Sequence, residues 1–302
     1  MANIKETLRQ QFENAVILSQ GNRWYRLLHD PVRTLRCSLA FRRFHASKEK
    51  KPFYDFCRTF WRRLMYVALP EGSTFYQWGF INGDPEIILT RVVIDRVQAG
   101  GIFFDIGAHY GFYSMLASEL VGSQGHVYAF EPTPRTFSIL KKNTQELSNV
   151  TITQSPVWES KTHIQFTDFG VEYGAFNTYL GTTTDKHVLE TAHKTVLNLE
   201  TVTIDDFVAQ HGIRDIQFMK IDVENAELFV VKGAVNTLRR FSPIVCVELW
   251  TVEHEGITNN ELLEYLGELG YAPFVVDKDL RFIPYEETKI RDTYTNVFMI
   301  KR

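Results

Sequence analysis

From about residue 100 onward, short apolar runs alternate with amphipathic stretches. Apolar runs of four to eight residues ended by turn residues read as strands covered on both faces, and apolar positions three and four apart read as helices. The predicted strands are GIFFDIG (101–107), HVYAFEP (126–132), VTITQS (150–155), IQFMKID (216–222) and PIVCVELW (243–250). The predicted helices are FYSMLASEL (112–120), PRTFSILKKNTQEL (134–147), IDDFVAQHG (204–212), AELFVVKGAVNTLRR (226–240) and NNELLEYLGELG (259–270). Pro134 suits a first helical turn and Gly270 a helix stop. This alternation argues for an α/β doubly wound sheet, parallel over most of its width.

Two stretches break the rhythm. Residues 156–200, with THIQF and GVEYGAFNTYLGTTT, predict an inserted hairpin and loop. YAPFVVD (271–277) and NVFMIKR (296–302) are strands separated only by a polar loop, so the last strand should return antiparallel, because a parallel pair needs a long crossover. The expected organisation is a main domain over 96–302 and a mainly helical, basic extension over 1–95, read as several short helices.

Composition places the chain among ordinary soluble globular proteins, at 44% apolar and 23% charged residues. No apolar run is long enough to span a bilayer, and the start is too polar for a signal peptide, so a cytoplasmic location is expected. Cys37, Cys57 and Cys246 show neither a disulfide nor a zinc pattern. Charge is uneven: residues 1–65 hold 14 Lys/Arg against 5 Asp/Glu, leaving 19 against 31 for the rest. The stretch 35–64 interleaves Arg and Lys with Phe, Trp and Leu. It reads as a cover over an acceptor cleft, as a segment for peripheral association with anionic lipid at the inner face of a membrane, or as a nucleic-acid patch. The last is disfavoured, since no nucleic-acid motif accompanies the charge. No heptad pattern points to an oligomer.

Candidate chemistry begins at DIGAHYGFYS (105–114), between a predicted strand and helix. Ligands of doubly wound sheets lie at the carboxyl ends of the strands. Gly107 and Gly111 carry no Cβ to obstruct an approaching ligand. A dinucleotide site would show GxGxxG; here His109 breaks that spacing and an acid precedes the glycines, which disfavours an oxidoreductase. Asp105 suits a cationic cofactor without phosphate, such as adenosylmethionine. Glu131 ends the second strand, 24 residues after Gly107, where an acid can bind vicinal ribose hydroxyls. FMKIDVENAEL (218–228) concentrates Lys220, Asp222, Glu224 and Glu227 near a strand end, and Glu248 closes another strand. A carboxylate there can accept or align a hydroxyl proton. His109 reads equally as a base and as a packing residue. No metal-ligand spacing is seen, which favours a metal-independent reaction.

DIGAHYGFYS, VYAFEPTPRTFSILKKN, VTIDDF, FMKIDVENAELFVVKGA and PIVCVEL, in this order, resemble the FkbM family of adenosylmethionine-dependent methyltransferases over roughly residues 100–275. The resemblance implies a class I methyltransferase fold, whose sheet also carries an antiparallel strand. It implies O-methylation of a saccharide, glycolipid or secondary metabolite. Asp105, Gly107, His109 and Gly111 would line the methionine end, Glu131 with Pro132 the ribose, and Ser155, Pro156 and Val157 the adenine. Asp222 would meet both cofactor and acceptor, and Glu224 the acceptor. The usual glycine of the DVEG segment is Asn225 here, which puts the local turn in question. The competing reading is a non-catalytic docking protein that keeps the fold.

Overall fold

A computed structural model describes residues 2–46, 52–170, 177–179, 194–250, 258–277, 279–286 and 294–302. Its strands are β1 (Phe53–Arg58), β2 (Leu64–Leu69), β3 (Ile102–Ile106), β4 (His126–Phe130), β5 (Val150–Thr153), β6 (His163–Asp168), β7 (Thr195–Glu200), β8 (Phe218–Ile221), β9 (Ile244–Trp250), β10 (Tyr271–Val276), β11 (Phe282–Pro284) and β12 (Tyr294–Lys301). The helices are α1 (Ala2–Gln20), α2 (Arg23–His29), α3 (Pro31–Ala46), α4 (Ser73–Trp78), α5 (Asp84–Arg96), α6 (Phe112–Val121), α7 (Pro134–Thr144), α8 (Ile204–Gln210), α9 (Glu227–Lys232), α10 (Val235–Phe241) and α11 (Asn259–Glu268).

Eight strands form the central sheet in the order β11-β10-β12-β9-β8-β3-β4-β5. β5, β4, β3, β8 and β9 pair in parallel. β12 lies antiparallel to both β9 and β10. This is the class I methyltransferase arrangement, with strand order reversing beside β3. The short edge strand β11 escaped the sequence reading, because three residues are too few to show a period.

Alternation along each strand divides the core between two faces. Phe103, Phe218, Cys246 and Phe298 belong to one apolar cluster, Phe104, Met219, Val245 and Val297 to the other. The first cluster also holds Leu8, Phe12, Met65, Val93 and Met115, so residues before 96 share a continuous core with the sheet. They include the antiparallel hairpin β1–β2, which reading the extension as short helices did not anticipate. Asn143 ties that hairpin to the cofactor loop: its amide donates to the carbonyls of Tyr66 (2.9 Å) and Tyr110 (2.8 Å).

The predicted helix 226–240 is two helices. They part at Gly233, where a Cβ would lie 2.0 Å from the Trp158 carbonyl oxygen, so only glycine lets the insert approach. The predicted insert contains the antiparallel pair β6–β7; its remainder at 171–176 and 180–193 lies outside the described residues. Among the described residues no helix is long and apolar enough to cross a membrane.

Candidate functional site

The site is built on the turn after β3. The N–H groups of Gly107 and Ala108 both donate to the Phe130 carbonyl, at 3.0 and 2.9 Å, and the Asp222 N–H donates to the Ile106 carbonyl at 3.0 Å. Gly107 has φ +79°, and a Cβ there would lie 1.8 Å from the Asp222 carbonyl oxygen. Gly111 has φ +85°, and its Cβ would meet Leu140 at 2.5 Å. This corrects the expectation that both glycines make room for a ligand. Gly107 borders the cavity, but the space it leaves is filled by the protein's own loop after β8. Gly111 is not part of the cavity wall; it lets α6 start against α7.

Asp105 requires a second correction. Pairing of β3 with β8 sets it directly opposite Lys220 on the same sheet face, so it lies beneath the wall rather than in it. It is fully buried; Ser114 Oγ donates to Oδ2 at 2.5 Å, while Oδ1 lies 3.8 Å from Lys220 Nζ with no hydrogen-bond partner. Burial pushes its pKa up, and Lys220 works against that rise. Lys220 Nζ also donates to Asp222 Oδ2 (2.9 Å) and the Gly107 carbonyl (3.3 Å). Burial disfavours the ammonium, yet Asp222 and Asp105 outweigh it and hold the Lys220 pKa above its usual value.

Above this buried ion triad lies a cavity of about 340 Å³, bordered by Gly107, His109, Glu131, Pro132, Ser155, Pro156, Val157, Asp222 and Glu224. Its volume falls within the range of about 300–1,000 Å³ common to small-molecule sites. Glu131 accepts the His109 N–H (3.0 Å) and the Thr133 N–H (2.9 Å), which leaves carboxylate lone pairs for a vicinal diol.

His109 stacks on Tyr110 at 3.9 Å, and its Nε2 lies 3.0 Å from Glu71 Oε1. Glu71, absent from the sequence reading, also receives Arg135 (3.3 Å) and the Tyr110 hydroxyl. Burial opposes charge on His109, but Glu71, by charge and hydrogen bond, and Glu131 outweigh it and raise the imidazole pKa. Held by Glu71 and stacked on Tyr110, His109 has the contacts of a loop scaffold, the second of its two sequence readings. Glu71→Gln is expected to bring the His109 pKa back toward about 6.5, followed by NMR titration of the ring. The linkage has a defined sign. A raised histidine pKa stabilises the fold fully below about 6.5, and that contribution fades as pH rises through the raised value, so it should vanish in the variant.

Three carboxylates meet on the opposite wall. Asp222, Glu224 and Glu248 bring their oxygens within 4.8 Å of one another. Glu248 joins them because β9 runs parallel to β8 in register, Lys220 beside Cys246. Its Oε2 accepts the Trp250 indole N–H at 3.1 Å. Burial, then the neighbouring Asp222, raises the pKa of both Glu224 and Glu248 well above the ordinary carboxylate value. Such a donor set suits hydroxyl groups, and it is also one that a hard divalent cation accepts. Spacing along the chain could not reveal it, since Glu248 is 24 residues from Glu224.

Glu224 and Asn225 have φ of 52° and 72°. Asparagine tolerates the left-handed region, so Asn225 replaces the family's glycine without abolishing the turn. Strain at Glu224 is held by the turn itself, as is common at functional sites. Glu227 caps that turn, its Oε1 accepting the Val223 N–H at 3.1 Å. Burial pushes its carboxyl pKa up to about 7. Its protonated form stabilises the fold at low pH, and this is lost as pH rises from about 4.3, the unfolded value, to about 7. In Glu227→Gln the drop in unfolding free energy between about pH 5 and about pH 8 should shrink by about 2–3 kcal/mol, measured in urea.

Sequence reasoning also missed the walls supplied from elsewhere. Glu86, buried at the start of α5, accepts the Tyr113 hydroxyl (2.8 Å) and the Asn296 amide (3.1 Å). From the insert come Asn177, Tyr179 and Trp158, the last stacked on Phe229 at 3.9 Å. Glu71, Glu86, Glu131, Asp222, Glu224 and Glu248 line the cavity against His109 and Lys220. Such a lining, rich in carboxyl acceptors and poor in cations, suits a cofactor bearing a sulfonium and an ammonium better than a pyrophosphate. Glu131 adds a carboxylate for ribose, and Phe130 and Val157 apolar surface for a base, so the residues present fit S-adenosyl-L-methionine.

The hexuronic acid methyltransferase AglP of Haloferax volcanii is 25% identical over 189 residues, 62% of this chain and 70% of that protein. The FkbM methyltransferase of Methylobacillus flagellatus, 12% identical, aligns with 96% of this chain and 58% of its own at a TM-score of 0.41. Aeropyrum pernix fibrillarin, solved with natively bound S-adenosyl-L-methionine, is 14% identical and aligns over 68% of each chain at a TM-score of 0.40. The methyltransferase FkbM domain matches residues 105–273, more than half of the sequence, and the chain therefore belongs to the FkbM family of S-adenosyl-L-methionine-dependent methyltransferases.

Proposed function

We propose that this chain methylates a hydroxyl group of a saccharide or glycolipid. The observation that carries this reading is the convergence of Asp222, Glu224 and Glu248 in the cavity that Glu131 also lines. Carboxylates in a cluster pair naturally with the hydroxyls of a polyol. The hexuronic acid methyltransferase from Haloferax volcanii supports a sugar acceptor.

When bound, the cofactor supplies a methyl group already activated on a sulfonium. Glu131 would hold its ribose, Pro132 and Ser155 to Val157 would border its base, and Gly107, His109 and Asp222 its amino-acid end. What remains for the protein is to align the acceptor oxygen and take its proton, and alignment alone can supply several kcal/mol. We assign the proton to Glu224, which lines the cavity beside Asp222 and Glu248 and, unlike them, is not held by a neighbouring lysine or indole among the described residues. Asp222 is held by Lys220 and Glu248 by Trp250, so each orients the cluster. Glu224 would take the O–H proton as the acceptor oxygen gains the methyl group and the methyl carbon–sulfur bond breaks, leaving a neutral thioether.

The test is transfer of labelled methyl from S-adenosyl-L-methionine to hexuronic-acid oligosaccharides and to a glycolipid extract, with the linkage read by NMR. An O-methyl ether formed equally well in EDTA is expected. Label on nitrogen or carbon would contradict the hydroxyl assignment. Loss in EDTA restored by Mg²⁺ would reassign the carboxylates to a cation.

A further inference from the structure

Helices α2 and α3 expose large apolar side chains instead of burying them. Trp24 and Leu28, one turn apart on α2, are 74% and 79% exposed. On α3, Val32, Leu35 and Leu39 are 67%, 56% and 59% exposed. Their spacing of three and four places each set on one face of its helix. α3 packs by other residues, Cys37 and Ala40, which are buried. Both sides of α3 are thus apolar, one covered by the protein and one by nothing within the described chain. Scattered exposed apolar residues need no explanation, but a row with an outward indole marks an interaction surface.

Charge identifies the partner. Arg42 and Arg43 are exposed on the same sector of α3 as the apolar row, beside Arg36, which is paired with Asp55. Residues 1–65 carry 14 Lys/Arg against 5 Asp/Glu. A second copy of this face would bring the same positive charge and be repelled. An anionic bilayer complements both features: phosphate headgroups meet the arginines, and the boundary below them accepts Trp and Leu. We propose that the α2–α3 face is a docking surface for anionic lipid membranes, lying in the plane of the interface. This replaces the cleft-cover reading of the basic segment, because the N-terminal part of the cavity wall comes from Glu71, Thr74, Phe75, Ile81 and Glu86. The proposal stands whichever acceptor is methylated.

The experiment is co-sedimentation of the full chain with vesicles of phosphatidylcholine alone and of phosphatidylcholine mixed with phosphatidylglycerol. Binding should be at least about tenfold stronger to the anionic vesicles and weaken with salt. It should fall by a similar factor in Leu28→Asp/Leu35→Asp and in Arg42→Glu/Arg43→Glu, with unchanged thermal unfolding showing that these surface variants fold. Independently of those variants, brominated lipid should quench the wild-type tryptophan fluorescence more than that of Trp24→Phe. Equal binding to both vesicle types overturns the proposal, as does binding indifferent to both double variants. So does the absence of vesicle binding with a monomer–dimer equilibrium shifted by Leu28→Asp, which would assign the face to a second copy.

Discussion

Lys220→Met is expected to destabilise the fold by about 3–5 kcal/mol, the usual cost of stranding a buried charge partner. Lys220 lines the cavity floor with Asp105 and Asp222 as its counter-charges, and its ammonium also donates to the Gly107 carbonyl. Methionine fills the volume but leaves Asp105, fully buried and bonded only through Ser114, without a neighbouring positive charge. A loss of this size is a large part of the roughly 5–15 kcal/mol that holds a typical domain together. It should appear as a lowered urea midpoint with little change in slope. The double variant Asp105→Asn/Lys220→Met should recover part of the loss, since removing both charges costs less than removing one. A single variant as stable as the parent would show that the triad carries no such stabilisation.

The same triad shows what could be read from the chain and what could not. Asp105 was visible because an acid two residues before the paired glycines Gly107 and Gly111 is a local pattern. Its role was misassigned because the sequence does not say that β8 will lay Lys220, 115 residues further on, alongside it. Gly107 was likewise found because a Cβ there would obstruct something close, but its neighbour is a distant carbonyl instead of a ligand. Periodicity carried the parallel strands and the antiparallel return of β12, which are local in cause. It failed at β11, at the break in the helix after β8, and at the β1–β2 hairpin, each decided by packing. Glu71 and Glu86 were invisible for a further reason: single acids in an extension carry no motif, and only the shared core brings them to the cavity. Glu248 was noticed as a strand-end acid, and register alone joined it to Asp222 and Glu224.

The largest effect on chemistry is expected at Glu224. We assign its carboxyl to the acceptor half of the cavity and Glu131 with the loop after β3 to the cofactor half; all of them line the same cavity. Glutamine keeps the size and the hydrogen-bonding shape but cannot take a proton. General-base catalysis contributes typically about 10²–10⁴ in rate, so turnover in Glu224→Gln should fall by about that factor. Because the residue acts on the acceptor proton, affinity for S-adenosyl-L-methionine should stay within about twofold, a change of under about 0.5 kcal/mol. The division of the cavity into these halves is therefore open to a single paired measurement on Glu224→Gln: calorimetric affinity for S-adenosyl-L-methionine and methyl-transfer turnover on the same preparation. Retained affinity with turnover lost at least about a hundredfold is the predicted result. Retained turnover, or loss of both together, would contradict the assignment of Glu224 as the base that serves the acceptor.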